Sequence, residues 1–142
     1  MTRWLTEEEQ RAWRGLLRMT AQLNARANRL LLQEYGISLA DYEVLVALSE
    51  APEGQLRVFE VADALAWEQS RVSHQLARMQ RRGLITREGC ATDARGAFAV
   101  LTTAGRATIE RQEAVAALAA RGAHRGRCGG GLELLRHWTL LR

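Results

Sequence analysis

The side chains best equipped for recognition chemistry cluster around Gln69, Ser70, Arg71, Ser73 and His74, followed by Arg78, Arg81 and Arg82. Hydroxyl, amide, imidazole and guanidinium groups are the inventory that reaches phosphate oxygens and base edges in a DNA major groove. Placed on a helix, where successive residues turn by about 100°, Val72, Leu76 and Met79 share one apolar side. Ser70, His74, Arg78 and Arg81 then lie broadly opposite. The same residues make a poor enzyme. No hydroxyl or thiol nucleophile stands in a recognisable motif, and no glycine loop opens a helix with phosphate-cradling chemistry. Nor does any acid pair with a histidine at a suggestive spacing. His74, His124 and His137 are scattered. His124 with Cys128 supplies two ligands where tetrahedral zinc takes about four, so neither a metal nor a cofactor is expected.

The elements that must position this face are short. Val58, Val61, Ala62 and Leu65 mark a first helix, Ala66, Trp67 and Glu68 a turn, and Gly83 the stop of a second helix over 69–82. Two short helices joined this way follow the helix-turn-helix plan. Residues 84–87 and 98–101 are apolar and β-branched enough for two strands, with Gly89, Asp93 and Gly96 as turn residues between them. That hairpin carries Arg95 at its tip, suited to the minor groove.

The run Asp93, Ala94, Arg95, Gly96, then Leu101, Thr102 and Gly105, resembles the wing signature of the MarR family of winged-helix transcription regulators. Ser70, Arg71, Val72, Ser73 and His74, followed by Arg78, Met79, Gly83, Leu84 and Ile85, are similar to that family's recognition helix and its exit. The resemblance covers about residues 6 to 113, and its signals occur in the right order with the right gaps. It implies a mainly α fold with a small β-wing: a winged helix-turn-helix with flanking dimerisation helices. It also implies double-stranded DNA as partner, a homodimer, and repression relieved by a small, often aromatic, effector. The peroxide-sensing cysteine that some members carry in the first helix is absent here.

Composition agrees with a DNA partner. The chain is 47% hydrophobic and 25% charged with net charge +4, ordinary for a globular protein. Up to Gln55 there are six arginines against eight acids, whereas from Leu56 to Arg106 there are eight arginines against five acids. The basic excess therefore sits on the winged segment. The complete absence of lysine reads mainly as a coding bias. No apolar run approaches the ~20 residues that span a bilayer, so the protein is expected in the cytoplasm, away from membranes, with Cys90 and Cys128 as free thiols.

Around the winged segment, Thr6 and Glu9 form a capping box for a helix from 7 to about 35, ended by Gly36. Its apolar side is Trp13, Leu16, Leu17, Leu23, Leu30 and Leu31. Ser38 with Asp41 caps a second helix that places Tyr42 and Leu45 in the core. Thr102 caps a helix from 103 that should stop near Ala120, because the glycine-dense stretch 121–131 costs about 1 kcal/mol per glycine in a helix. Leu132, Leu135, Trp138 and Leu141 are spaced for a short terminal helix.

The organisation expected is thus a winged-helix domain over 1–120 (dimerisation helices 6–35 and 103–120, helix-turn-helix plus wing 56–105) and an atypical Gly/Arg-rich tail over 121–142. Its function is sequence-specific transcription regulation at a palindrome. Gln69, Ser70, Arg71, Ser73 and His74 approach bases, and Arg78 and Arg82 hold phosphates. In the wing, 86–98, Arg95 enters the minor groove, oriented by Asp93 and followed by Gly96. The atypical tail should weaken the dimer. The alternatives are a sequence-tolerant architectural DNA binder and a winged-helix protein-interaction module, the latter calling for an apolar recognition face.

Overall fold

A reciprocal cap opens the first helix, α1 (Glu7–Tyr35): Thr6 N–H donates to Glu9 Oε2 at 2.7 Å and Glu9 N–H to Thr6 Oγ1 at 3.2 Å, as the sequence predicts. Gly36 ends it in the left-handed conformation, φ 67°. The structure, a computed structural model, describes residues 4–90 and 93–123, and for 90, 93–95 and 114–123 the backbone alone. The terminal helix expected around Leu135 lies outside the described residues, as do His124, Cys128 and the side chains of Asp93 and Arg95.

The chain divides into two compact units, Met1–Leu39 and Ala40–Arg142. The first is essentially α1, 29 residues long, and a helix of that length makes most of its contacts along its own axis. Of its expected apolar side, Leu31 is buried and Leu23 half-buried, but Trp13, Leu16 and Leu17 are 54%, 48% and 51% exposed.

The second unit carries α2 (Leu39–Glu50), a 3-10 turn at Pro52–Gly54, β1 (Gln55–Arg57), α3 (Val58–Leu65), α4 (Gln69–Arg81), β2 (Ile85–Cys90), β3 (Asp93–Leu101) and α5 (Thr103–Ala123). Val44, Leu45, Leu48, Val61, Val72, Leu76, Met79, Ile85 and Ala99 are buried, each fully buried aliphatic contributing ~1.5–3 kcal/mol. Leu45 is in the core as expected. Tyr42 is only half-buried: its hydroxyl keeps a hydrogen bond with the buried Gln112, and a phenol's polar end holds the ring toward the rim.

The sheet has three antiparallel strands in the order β1-β3-β2, not the two expected. β1 is too short for alternation to reveal; it exists because β3 offers it an edge, with Leu56 opposite Ala99 and Arg57 opposite Phe98. α5 runs past the expected stop to Ala123. One glycine at 122 costs a helix about 1 kcal/mol, too little to end it. None of the described helices is long and apolar enough to cross a membrane.

Candidate nucleic-acid interface

Helix α4 is held at both ends by backbone geometry. At its start, Ala66 turns the chain at φ 52° and Trp67 N–H donates to Ala62 O at 2.9 Å. Glu68 is the N-cap without a side-chain cap bond, and no acid stands in the first turn. The first-turn N–H groups therefore have no cap from the Glu68 side chain, whose charge nonetheless offsets part of the positive end of the helix dipole. At its end, Gly83 takes φ 72°. Gly83 N–H donates to Gln80 O at 3.0 Å and Leu84 N–H to Met79 O at 3.1 Å. This paired closure is a Schellman motif, with the buried Met79 and Leu84 completing it.

The helix floor packs against α3 and β2 and consists of Val72, Gln75, Leu76 and Met79. Of the expected reading residues, Gln69, Ser70, Arg71 and His74 are exposed together, whereas Ser73 is half-buried. The Arg71 guanidinium stacks over the Trp67 ring, 3.8 Å from its centroid, a cation–π contact that restrains a long side chain. Arg78 and Arg81 are exposed further along.

The two phosphate candidates part company. Arg78 Nη2 donates to Gln75 Oε1. Gln75 Nε2 donates to Asp41 Oδ1 at 2.6 Å, and Arg82 Nη1 donates to Asp41 Oδ2 at 2.7 Å. Asp41 and Gln75 are 4% and 2% exposed. Arg82, expected on phosphate, is thus ion-paired to a buried carboxylate of α2. Sequence reasoning missed Asp41, Gln75 and Trp67 as parts of the site. A signal was present for the first two. Asp41 stands with Val44, Leu45 and Leu48 at helical spacing, and Gln75 with Val72, Leu76 and Met79. A polar residue on each apolar arc calls for a buried partner.

The wing also differs in detail. Gly89, Asp93 and Gly96 lie within the strands and not in the turn, because β2 runs to Cys90, where it pairs with Asp93. Gly89 sits at a register shift between Glu88 and Cys90, the irregularity a glycine accommodates in a strand. Gly96 serves close approach: a Cβ there would stand 2.5 Å from Arg57 Nη1. The Arg57 guanidinium lies over Phe98 at 4.9 Å, so β1 braces the base of the wing. Where β3 enters α5, Gly105 N–H donates to Thr102 Oγ1 at 3.0 Å, the N-cap the sequence predicts. The Thr102 hydroxyl in turn faces Gly83 O at 2.7 Å and Leu84 O at 2.9 Å. One threonine therefore ties the exit of α4 to the entry of α5.

In this chain a helix with a polar, basic outer face on an apolar floor is followed by a wing that β1 braces. The family model described as MarR family matches residues 35–96. AbsC, a MarR family transcriptional regulator from Streptomyces coelicolor, is 40% identical over 87% of this chain and 81% of its own, with TM-score 0.71. The chain belongs to the MarR family of transcriptional regulators. Sco3205, a MarR family regulator of the same organism whose structure was determined in complex with DNA, is 33% identical. That match covers 98% of this chain and 87% of Sco3205, with TM-score 0.76. A mutant MarR from E. coli, complexed with operator DNA, is 26% identical over 68% of this chain and 70% of its own, with TM-score 0.58. No curated protein matches the chain. The MarR fold accounts for the order of α3, α4 and the wing in the second unit.

Proposed function

We propose that this MarR family chain represses transcription by binding a palindromic duplex as a homodimer in the cytoplasm, and that a small aromatic effector relieves it. The observation that carries the DNA reading is the outer face of α4: Gln69, Ser70, Arg71 and His74 exposed side by side, without an acid in the first turn. A protein-docking helix would present an apolar face instead. Gln69, Ser70, Arg71 and His74 read base edges, with the half-buried Ser73 contributing from the side. Arg78 holds phosphate. Arg95 enters the minor groove, oriented by Asp93, and Gly96 lets the strand pass Arg57. Complexes of Sco3205 and of E. coli MarR with DNA support this reading. The effector is carried by the family resemblance.

Sequencing genomic fragments retained by the wild type and by single variants tests it. The wild type should select one inverted repeat. Arg71→Ala and His74→Ala should each relax preference at particular positions by about 1–3 kcal/mol, whereas Arg78→Ala weakens all sequences alike. A wild type that retains fragments without a common motif would make the protein a sequence-tolerant binder.

A further inference from the structure

We propose that Asp41 is a positioning residue that sorts the two guanidiniums at the end of α4, presenting Arg78 to DNA and withholding the charge of Arg82. The inference rests on the reading of α4 as the DNA-binding helix. Three links carry it: Arg82 Nη1 to Asp41 Oδ2 at 2.7 Å, Gln75 Nε2 to Asp41 Oδ1 at 2.6 Å, and Arg78 Nη2 to Gln75 Oε1. A carboxylate only accepts, so Asp41 forces the Gln75 amide to turn its N–H toward α2 and its oxygen toward Arg78. That oxygen is neutral. Arg78 is therefore oriented by a hydrogen bond while keeping its full positive charge for a phosphate.

Arg82, one turn on, is in the opposite position. Its charge is matched by Asp41, which is 4% exposed and has little water to replace a lost donor. Leaving Asp41 for a phosphate would strand part of a buried carboxylate, which is strongly unfavourable. The Arg82 side chain is nonetheless 45% exposed, so it lies where a released charge would feel the duplex. The functional consequence concerns discrimination. Sequence-independent affinity grows with the number of phosphates neutralised, whereas discrimination depends on base contacts. Holding one cation out of that count lowers binding to random DNA without touching the reading residues.

Salt dependence separates this role from a purely structural one. Binding of the full chain to its selected fragment and to a random duplex would be measured across salt for the wild type, Asp41→Asn and the charge-conserving pair Asp41→Asn with Arg82→Gln. Circular dichroism melting would confirm that each is folded. Each phosphate neutralised contributes about 0.9 to the slope of log affinity against log salt. Asp41→Asn should steepen the slope by about 0.9 and tighten random-duplex binding several-fold, shrinking the ratio of specific to random affinity. The pair should return the slope to the wild-type value.

An unchanged slope in folded Asp41→Asn overturns the proposal. So does a pair whose slope is shallower than wild type by about 0.9, since Arg82 would then already sit on a phosphate. If Asp41→Asn alone does not fold, the pair decides by that criterion. Absence of salt-dependent binding by the wild type to any duplex would instead sink the DNA reading itself.

Discussion

At the residue scale, what distinguishes this winged helix is where it buries polar groups. Asp41, Gln75 and Gln112 are 4%, 2% and 5% exposed, and among the described residues no buried side-chain nitrogen or oxygen is left without a partner. Gln112 meets Tyr42. Burial pushes that phenol above its usual value of 10.0, assisted by the carboxylates of Glu113 and Glu50 and opposed by the Gln112 hydrogen bond. A phenol whose folded value is raised ionises first in the unfolded chain. Its contribution to stability is therefore fully present below pH about 10 and is lost as pH rises through the folded value. Tyr42→Phe should cost about 1 kcal/mol near neutrality by removing the hydrogen bond, and should flatten the fall in stability above pH about 10. Urea unfolding of both proteins across that range checks this, and an alkaline fall of the same steepness in both would assign it elsewhere.

At the element scale, the entry of α5 and the base of the wing are both fitted around glycines, with unequal tolerance. A Cβ on Gly105 would overlap the Leu84 carbonyl oxygen and stand 2.8 Å from Leu101 Cδ1. Backbone would have to move at the junction that Thr102 ties together. A Cβ on Gly96 meets only the end of the Arg57 side chain, which can swing off Phe98 at the expense of a cation–π contact worth about 0.5–1 kcal/mol. Gly105→Ala should therefore destabilise by about 1–3 kcal/mol and Gly96→Ala by under about 1 kcal/mol. Denaturant midpoints that rank the two in reverse would show that the α4–α5 junction yields more easily than the wing. The glycines themselves were legible as signals, but their reasons were not. Gly89 and Gly96 read as turn residues in the sequence because a strand bulge and a close approach leave the same letter as a turn.

At the scale of the whole molecule, the exposed apolar residues of α1, Trp13, Leu16 and Leu17, are the surface on which a second copy of the chain would be expected to associate. Two recognition helices read one palindrome when a dimer holds them about 34 Å apart. The sequence reading expects the Gly/Arg-rich tail over 121–142 to weaken that association. We expect a dimer weaker than is usual for such regulators, dissociating at about micromolar concentration or above, with half-site binding surviving dissociation. Sedimentation from nanomolar to tens of micromolar settles it. Persistence of the dimer at nanomolar concentration would show that the interface closes without the usual tail.

The sequence by itself determined the elements whose signals are local: the Thr6–Glu9 box, the Gly36 and Gly83 stops, the apolar floor of α4, the Thr102 cap, and the set of residues on the outer face of the recognition helix. Each depends on neighbours within a turn or two, so spacing alone encodes it. Tertiary structure decided what depends on distant partners. β1 became a strand because β3 lies beside it. Arg82 became an ion pair because α2 brings a carboxylate to it across 41 positions of sequence. Trp67, a turn residue in the sequence, became the platform under Arg71 only once the turn had been folded. Local spacing assigns a side chain to a face, but the charge it presents there depends on what the fold has already paired with it.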